Sequence, residues 1–313
     1  MMKTQFIKNT IVISVLFLVL LTTVVDAGFF SIFKSKGKTK QLISNTNSQV
    51  QTSLNNAPSQ SYSSKYPIIL IHGWNGNLNT LSELQNKLDQ DGIAQNKGDI
   101  YSSSSTSSCN GGWPKAVSVN FEYYDEGKDR GIPYYATKLA YAIETLKQCT
   151  GSSKINIVAH SMGGLIARAY IANGGSDSAN RLIMLETPNY GASNFMANIG
   201  QGLTTGEGSD VGLMIPNSSF IREMNNKDCK NRKQMVNIVS QENGDADKAR
   251  IKENRKNDKC KDQGWFVRQS TIASVATSSL KGAANQIVYG CGHTNIHSPS
   301  QCGEAYSTVR SFL

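Results

Sequence analysis

The chain has 313 residues, of which 39% are hydrophobic and 18% are charged, and its formal net charge is +9. This length suits one α/β domain preceded by export and leader segments. The positive charge comes with no internal repeat, aromatic-interleaved platform or known nucleic-acid motif, so nucleic acid is not predicted as a partner. The basic runs predict a solvated face or, as the functional alternative, contact with an anionic lipid surface.

Residues 1–27 have the order of a secretory signal: lysines, an apolar run from Ile11 to Leu21, and the small residue Ala27 at the cleavage position. The run is shorter than the roughly 20 residues that a membrane span requires, and an uncleaved anchor is the alternative. Residues 28–64 are polar and have too few apolar groups to form a core, which predicts a flexible leader. We therefore expect an exported protein, secreted or in an endomembrane lumen, with its folded domain at 65–313.

Six cysteines follow the predicted signal. In an exported chain an even number predicts three disulfides. Order along the chain favours the pairs Cys109–Cys149, Cys229–Cys260 and Cys291–Cys302. The absence of any Cys-x-x-Cys spacing argues against a structural zinc site.

From residue 66 onward, short apolar runs alternate with helical patterns. The predicted strands lie at 66–73, 116–125, 154–160, 181–188, 233–241 and 285–292. The predicted helices lie at 81–93, 132–149, 161–174 and 305–313. Uniformly apolar strands between helices indicate a parallel sheet that is covered on both faces. The predicted fold class is therefore α/β with a doubly wound, mostly parallel sheet.

Two longer stretches interrupt this alternation. Residues 194–227 are rich in Gly, Met and Ser with scattered apolar groups, and residues 229–260 form a basic stretch bounded by cysteines. Loops of this length in a compact domain are usually functional or disordered. We interpret the first stretch as a candidate lid.

Ser161 lies where a predicted strand meets a predicted helix, in Ala159-His160-Ser161-Met162-Gly163. This Ala-x-Ser-x-Gly pattern is a form of the nucleophile elbow, in which a sharp turn displays the serine and small neighbours allow close backbone approach. The following helix directs its N–H groups and positive dipole end toward the same point, which favours an oxyanion. The alternative is a joint that uses small residues only for packing.

The segments PIILIHGWNGN, INIVAHSMGGLIAR and LETPNYGAS resemble the signature segments of α/β-hydrolase fold lipases and esterases, above all those of bacterial-type triacylglycerol lipases with the same elbow. The likeness covers residues 66–193 well and the C-terminal part only through spacing. It implies an α/β-hydrolase fold, to which the candidate lid at 194–227 would be an insertion, and an oxyanion hole made by the backbone N–H groups of Trp74 and Met162. Asn189 stands where the family usually has histidine, a departure outside the catalytic triad.

A serine nucleophile needs a base, and the base needs a carboxylate that orients it. His72 and His160 belong to the His-Gly loop and the elbow, which leaves His293 and His297 as candidate bases. The resemblance favours His293, because lipases of this type commonly place the base after a strand in Gly-x-Gly-His.

The acid is expected after the predicted strand at 233–241, because α/β-hydrolases follow the order serine, acid, histidine. The family's Gly-x-x-Asp spacing from Gly244 selects Asp247, with Asp245 as the alternative. Glu186 is a poorer candidate on sequence grounds, because it shortly follows the elbow helix.

Together these residues predict a secreted serine hydrolase that cleaves carboxylic esters through an acyl-enzyme, either a triacylglycerol lipase or a carboxylesterase. A phospholipase, acyltransferase or protein thioesterase would use the same chemistry, and a non-catalytic binding module is the distant alternative. No cofactor or metal is predicted, since no Glu follows His293 and Pro299 disfavours a helical His293/His297 metal site. The expected partners are an ester or lipid substrate and, transiently, a lipid–water interface, with the protein a monomer.

Overall fold

The computed structural model describes residues 61–110, 112–192, 209–240, 258–260 and 279–313. The predicted signal, the leader up to residue 60, part of the candidate lid and most of the basic stretch lie outside these ranges.

Within the described residues, seven strands form one sheet in the order β2-β3-β1-β4-β5-β6-β7, and every neighbouring pair is parallel. The strands are β1 (Ile68–Ile71), β2 (Gln95–Tyr101), β3 (Val117–Glu122), β4 (Ile155–His160), β5 (Ala179–Leu185), β6 (Met235–Ser240) and β7 (Ala284–Val288). Among the described residues, helical segments connect the successive strands from β1 to β6 and cover both faces of the sheet. This arrangement confirms the predicted α/β fold class.

The α-helices of the described residues are α1 (Ser82–Gln90), α2 (Ile132–Thr150), α3 (Met162–Ala172), α4 (Asp210–Leu213), α5 (Ser219–Lys227) and α6 (Gly303–Phe312). Short 3-10 helices lie at Leu78–Leu81, Thr106–Cys109, Gly175–Asp177 and Cys229–Gln234. Local sequence sets several ends: α2 has Pro133 in its first turn and ends at Gly151, whose φ of 63° suits glycine. No helix in the described ranges combines the length and apolar composition that crossing a bilayer requires.

Alternate residues of the central strands pack into two separate hydrophobic cores, one on each face of the sheet, as the two-residue period of a strand requires. Ile69 and Ile71 of β1 pack into the layer that contains α2 and α3. Ile68 and Leu70 pack into the opposite layer, which contains α1 and α6. Because both faces are covered, the central strands are mostly apolar, and their carboxyl ends are held at one edge of the sheet.

One strand was absent from the sequence-based prediction. The segment QNKGDIY forms β2, the edge strand that pairs with β3 and has a register shift between Asn96 and Asp99. Most of its side chains are at least partly exposed, with Ile100 as the buried exception. An edge strand does not need the continuous apolar run that identifies the buried strands of this sheet.

All six cysteines form disulfides, in the pairs that chain order favours: Cys109–Cys149, Cys229–Cys260 and Cys291–Cys302. The first joins the turn after β2 to the last helical turn of α2. The third closes the loop between β7 and α6, which carries His293.

A buried ion network ties helix α3 to the residues that follow α5. Asp228 accepts from Arg168 Nε and Arg232 Nε, each at 2.8 Å, and Arg232 also donates to Asp258 at 2.6 Å. The side chains of these four residues are fully buried. Asn189, which is also fully buried, accepts from Arg168 at 2.9 Å. The residue that departs from the family pattern thus bonds to this network through its neutral amide.

Replacing Asp228 with asparagine is expected to lower the free energy of unfolding by about 3–5 kcal/mol, because it leaves Arg168 and Arg232 buried without their shared counter-charge. The matched control is Glu223→Gln, which breaks the exposed Lys227–Glu223 pair on α5 and should cost less than about 1 kcal/mol. Urea unfolding at neutral pH measures both. Equal effects of the two substitutions would contradict the stabilising role of the buried network.

Candidate active site

Ser161 occupies the turn between β4 and α3 in a conformation that few non-glycine residues adopt. Its φ and ψ are 52° and −124°, β4 ends at His160 and α3 begins at Met162. The Ser161 N–H donates to the carbonyl of Leu185 on β5 at 2.9 Å. Backbone strain of this kind persists only where the surroundings enforce it, and it clusters at functional sites. The geometry is that of a nucleophile elbow.

Close backbone approach explains the small residues around Ser161. A Cβ on Gly163 would lie 2.5 Å from the carbonyl oxygen of His72 and 2.7 Å from that of Ile71. A Cβ on Gly73 would lie 2.9 Å from the Cβ of Ser161. These distances are shorter than any normal contact, so the elbow and the His-Gly loop fit together only because both positions are glycine.

Gly163→Ala is therefore expected to destabilise the fold by about 1–3 kcal/mol, because the added methyl group meets backbone that cannot move aside. Gly303, in the first turn of α6, is the matched control, since nothing lies within 4 Å of the Cβ position there. Gly303→Ala should be neutral or stabilising by up to about 1 kcal/mol. Thermal unfolding compares the two variants, and a Gly163→Ala midpoint equal to that of wild type would refute the packing argument.

Of the two candidate bases, His293 is the one whose ring reaches Ser161 among the described residues. Its Nε2 lies 3.0 Å from Ser161 Oγ. The loop that carries it follows β7, is closed by the Cys291–Cys302 disulfide, and is held to the elbow by His160, whose Nε2 lies 2.8 Å from the His293 carbonyl oxygen. Such a contact requires Nε2 of His160 to be protonated, since a carbonyl only accepts.

The other candidate base, His297, packs against His160. Its ring contacts that of His160 edge to face, with centroids 4.7 Å apart. Burial lowers the pKa of His297, and the nearby His293 lowers it further. Burial also holds the pKa of His160 well below its usual range. The lowered pKa values favour the neutral form of both rings, and the centroid of the His160 ring lies 5.0 Å from that of His293.

The predicted acids, Asp247 and Asp245, lie outside the described residues. Within the described ranges, a carboxylate that faces His293 is Glu186, whose Oε2 is 3.9 Å from His293 Nδ1. Glu186 directly follows β5 and is 2% exposed. The N–H and the hydroxyl of Ser240 both donate to its Oε1, the hydroxyl at 2.8 Å.

The loop proposed to supply an oxyanion N–H, at Gly73-Trp74, is held by aromatic side chains. Tyr123 stacks on the His72 ring at 4.2 Å, and its hydroxyl donates to the Gly73 carbonyl at 2.7 Å. Nε2 of His72 lies 3.3 Å from Oε1 of Glu122. Although burial raises the pKa of Glu122, hydrogen bonds from His72 and a backbone N–H outweigh it, and the pKa falls below its usual value.

Met162 is the first residue of α3, so its N–H belongs to the initial N–H groups of a helix, which have no partner within the helix. It directly follows Ser161, and the Cβ position of Gly73 lies 2.9 Å from the Cβ of Ser161. A hydroxyl, an imidazole in contact with it, and N–H groups beside it form an arrangement suited to acyl transfer.

Residues 65–277 match the family model described as Lipase (class 2), which covers more than half of the chain. The chain belongs to the class 2 lipase family. As a class 2 lipase, it is a serine ester hydrolase with the α/β-hydrolase fold, which confirms the family resemblance drawn from the three signature segments.

Solved structures have similar folds at low identity. The Bacillus licheniformis lipase BlEst2 in its propeptide form is 15% identical with a TM-score of 0.51, covering 80% of this chain and 51% of that one. Its mature form is 13% identical with a TM-score of 0.49 and coverages of 80% and 94%. A carboxylesterase of the thaumarchaeon Nitrososphaera gargenis is 14% identical with a TM-score of 0.48 and coverages of 82% and 96%. The likeness to the propeptide form agrees with the fold derived above.

Proposed function

We propose that this class 2 lipase is a secreted triacylglycerol lipase or carboxylesterase in which Ser161 is the nucleophile and His293 is the general base. The observation that carries the proposal is the 3.0 Å contact between Ser161 Oγ and His293 Nε2. A nucleophile and base within hydrogen-bond reach, on a strained strand-to-helix turn, are the recognisable parts of a serine hydrolase.

In the proposed mechanism, Ser161 Oγ attacks the ester carbonyl carbon while His293 Nε2 takes the hydroxyl proton. The N–H groups of Trp74 and Met162 stabilise the developing oxyanion, a role for which each donor is typically worth about 10²–10³ in rate. The imidazolium then protonates the leaving alcohol. Water, deprotonated by His293, hydrolyses the acyl-enzyme and releases the acid.

The orienting carboxylate was predicted from the sequence at Asp247, with Asp245 as the alternative, and this assignment stays a prediction. Export is supported by the three disulfides, because disulfides persist in oxidising compartments. The net charge of +9 is consistent with transient contact at an anionic lipid–water interface.

Labelling with a fluorophosphonate probe tests the nucleophile. Folded protein should be labelled covalently at one site, and peptide mapping should locate the adduct on Ser161. Heat-unfolded protein is the control, because labelling requires the assembled site. Absence of an adduct on folded protein, or an adduct on another serine, would refute the proposal.

A panel of esters with increasing acyl length, measured below and above the critical micelle concentration, tests the substrate class. A rise in rate above that concentration with long-chain esters would identify a lipase, and saturation below it with short-chain esters a carboxylesterase. A panel in which no ester is turned over would overturn both.

A further inference from the structure

Several hydrogen-bonding groups converge on one backbone oxygen beside the elbow, the carbonyl oxygen of Gly73. The hydroxyl of Tyr123 donates to it at 2.7 Å, and the N–H of Gly76 donates to it at 3.1 Å. The Nδ1 atom of His72 also lies 2.9 Å from it. This carbonyl belongs to the same peptide group as the N–H of Trp74, the proposed oxyanion donor.

The Gly73–Trp74 peptide group links these contacts to the direction of the Trp74 N–H. A peptide group is planar, and the described ones are all trans, so its C=O and N–H bonds point in opposite directions. A donor that fixes the direction of the Gly73 carbonyl therefore also fixes the direction of the Trp74 N–H. An oxyanion donor stabilises the transition state most when it is already oriented toward the developing charge.

Among the described contacts to the Gly73 oxygen, that of Tyr123 is the shortest. Tyr123 directly follows β3 and is fully buried, and its hydroxyl also lies 3.1 Å from the His72 carbonyl oxygen. A neutral His72 has only one ring N–H to donate, and the Glu122 carboxylate, 3.3 Å from Nε2, competes with the Gly73 oxygen for it. Burial raises the pKa of Tyr123 well above its usual value, so its hydroxyl remains a donor at neutral and mildly alkaline pH.

The next tyrosine contacts the peptide group on the other side of Trp74. The N–H of Asn75 donates to the Tyr124 hydroxyl at 3.3 Å. The Tyr123 and Tyr124 ring centroids are 4.5 Å apart, and Tyr135 of α2 packs against both rings, at 5.0 and 5.4 Å. Both peptide groups that flank the Cα of Trp74 are thus bonded to tyrosines of one aromatic cluster.

We propose that Tyr123 is a positioning residue for ester hydrolysis, which acts through the Gly73–Trp74 peptide group to orient the oxyanion N–H, a role that rests on the proposed function. In the proposed step, the bond between Ser161 Oγ and the ester carbon forms and the carbonyl π electrons move to oxygen. The Ser161 proton passes to His293 Nε2. Tyr123 transfers no proton, and its hydroxyl keeps the peptide group oriented while the negative charge develops.

Tyr123→Phe tests this role, because it removes the hydroxyl and keeps the ring that stacks on His72. We expect kcat for a p-nitrophenyl ester to fall by about 10- to 100-fold, since a misdirected oxyanion donor is lost mainly from the transition state. KM should change by less than about threefold, because the ester carbonyl carries no full charge in the ground state.

The matched control is Tyr306→Phe, on the opposite face of the sheet. Tyr306 of α6 is also buried, and its hydroxyl donates to Asp91 at 2.7 Å and lies 3.3 Å from the Lys87 carbonyl oxygen. Loss of these contacts should lower the thermal unfolding midpoint. It should leave kcat within about twofold of the wild-type value, because the hydroxyl has no link to the oxyanion loop.

Inhibition by an alkyl trifluoromethyl ketone supplies a readout that a merely structural role would not move. The ketone adds reversibly to a serine hydroxyl, and the hemiketal oxygen then carries negative charge where the oxyanion would form. In Tyr123→Phe the inhibition constant should rise by the factor by which kcat/KM falls, since a transition-state analogue loses the same interaction as the transition state. In Tyr306→Phe it should stay within about twofold of the wild-type value.

A folded Tyr123→Phe with kcat within about threefold of the wild type would overturn the inference. So would a fall in its kcat with an unchanged inhibition constant, or an equal fall in Tyr306→Phe. Tyr124→Phe is the second variant should Tyr123→Phe fail to fold: we expect kcat to fall at least about threefold with a matching rise of the inhibition constant, and no change in either would overturn the inference. Failure of the proposed function is a separate result, because wild-type protein would then give neither fluorophosphonate adduct nor ester turnover.

Discussion

Ser161→Ala is expected to abolish ester hydrolysis, with kcat lower by about 10⁶-fold, while the protein stays folded. The reason is that the substitution removes the atom that forms the acyl-enzyme, and in a serine hydrolase loss of the nucleophile costs about as much as loss of the whole triad. Alanine has a Cβ like serine, so the strained backbone at φ 52° gains no new clash. Stopped assays with p-nitrophenyl esters at high enzyme concentration measure the residual rate.

A serine substitution away from the candidate site is the control for Ser161→Ala. Ser307→Ala, on the exposed face of α6, removes a hydroxyl that donates to the Gly303 carbonyl of its own helix at 2.9 Å. It should leave kcat within twofold of the wild type. Thermal unfolding of both variants checks folding. Turnover by folded Ser161→Ala above about one part in 10³ of the wild-type rate would mean that another residue attacks the ester.

Local patterns in the sequence were sufficient to predict six of the seven strands of the described sheet and their parallel arrangement. Uniformly apolar runs such as IILI and INIVAH predicted buried parallel strands, and the structure has them as β1 and β4. The small residues around Ser161 predicted a sharp turn, and the Cβ position of Gly163, 2.5 Å from a carbonyl oxygen, gives the steric reason. Each of these predictions was made from a few consecutive residues.

Features that depend on distant parts of the chain were not predictable in this way. The edge strand β2 is mostly polar because it is buried neither by helices on both faces nor by a second neighbour. Glu186 Oε2 lies 3.9 Å from His293 Nδ1 although the two residues are more than a hundred positions apart in the chain, and the register of β5 beside β4 brings Glu186 to the same edge of the sheet as Ser161. The Arg168–Asp228 pair likewise joins residues 60 apart, and no local pattern marks it.

Among the four histidines, the structure makes a sharp distinction that activity measurements can check. His293→Ala is expected to lower kcat by at least about 10⁴-fold, because no general base then stands within reach of the Ser161 hydroxyl proton. His297→Ala should retain more than a tenth of wild-type kcat. Its ring packs against His160, and His160 in turn holds the backbone of the loop that carries His293.

The small loss of activity in His297→Ala would therefore come from a displaced His293 loop. It should appear as a reduced thermal unfolding midpoint as well as a reduced kcat. His293→Ala should instead keep its midpoint close to that of the wild type, because the His293 side chain is 27% exposed and contributes little to the core. Fluorophosphonate labelling rates should follow kcat in both variants. The reverse pattern, with His297→Ala inactive and His293→Ala active, would make His297 the base and would require the loop after β7 to rearrange before catalysis.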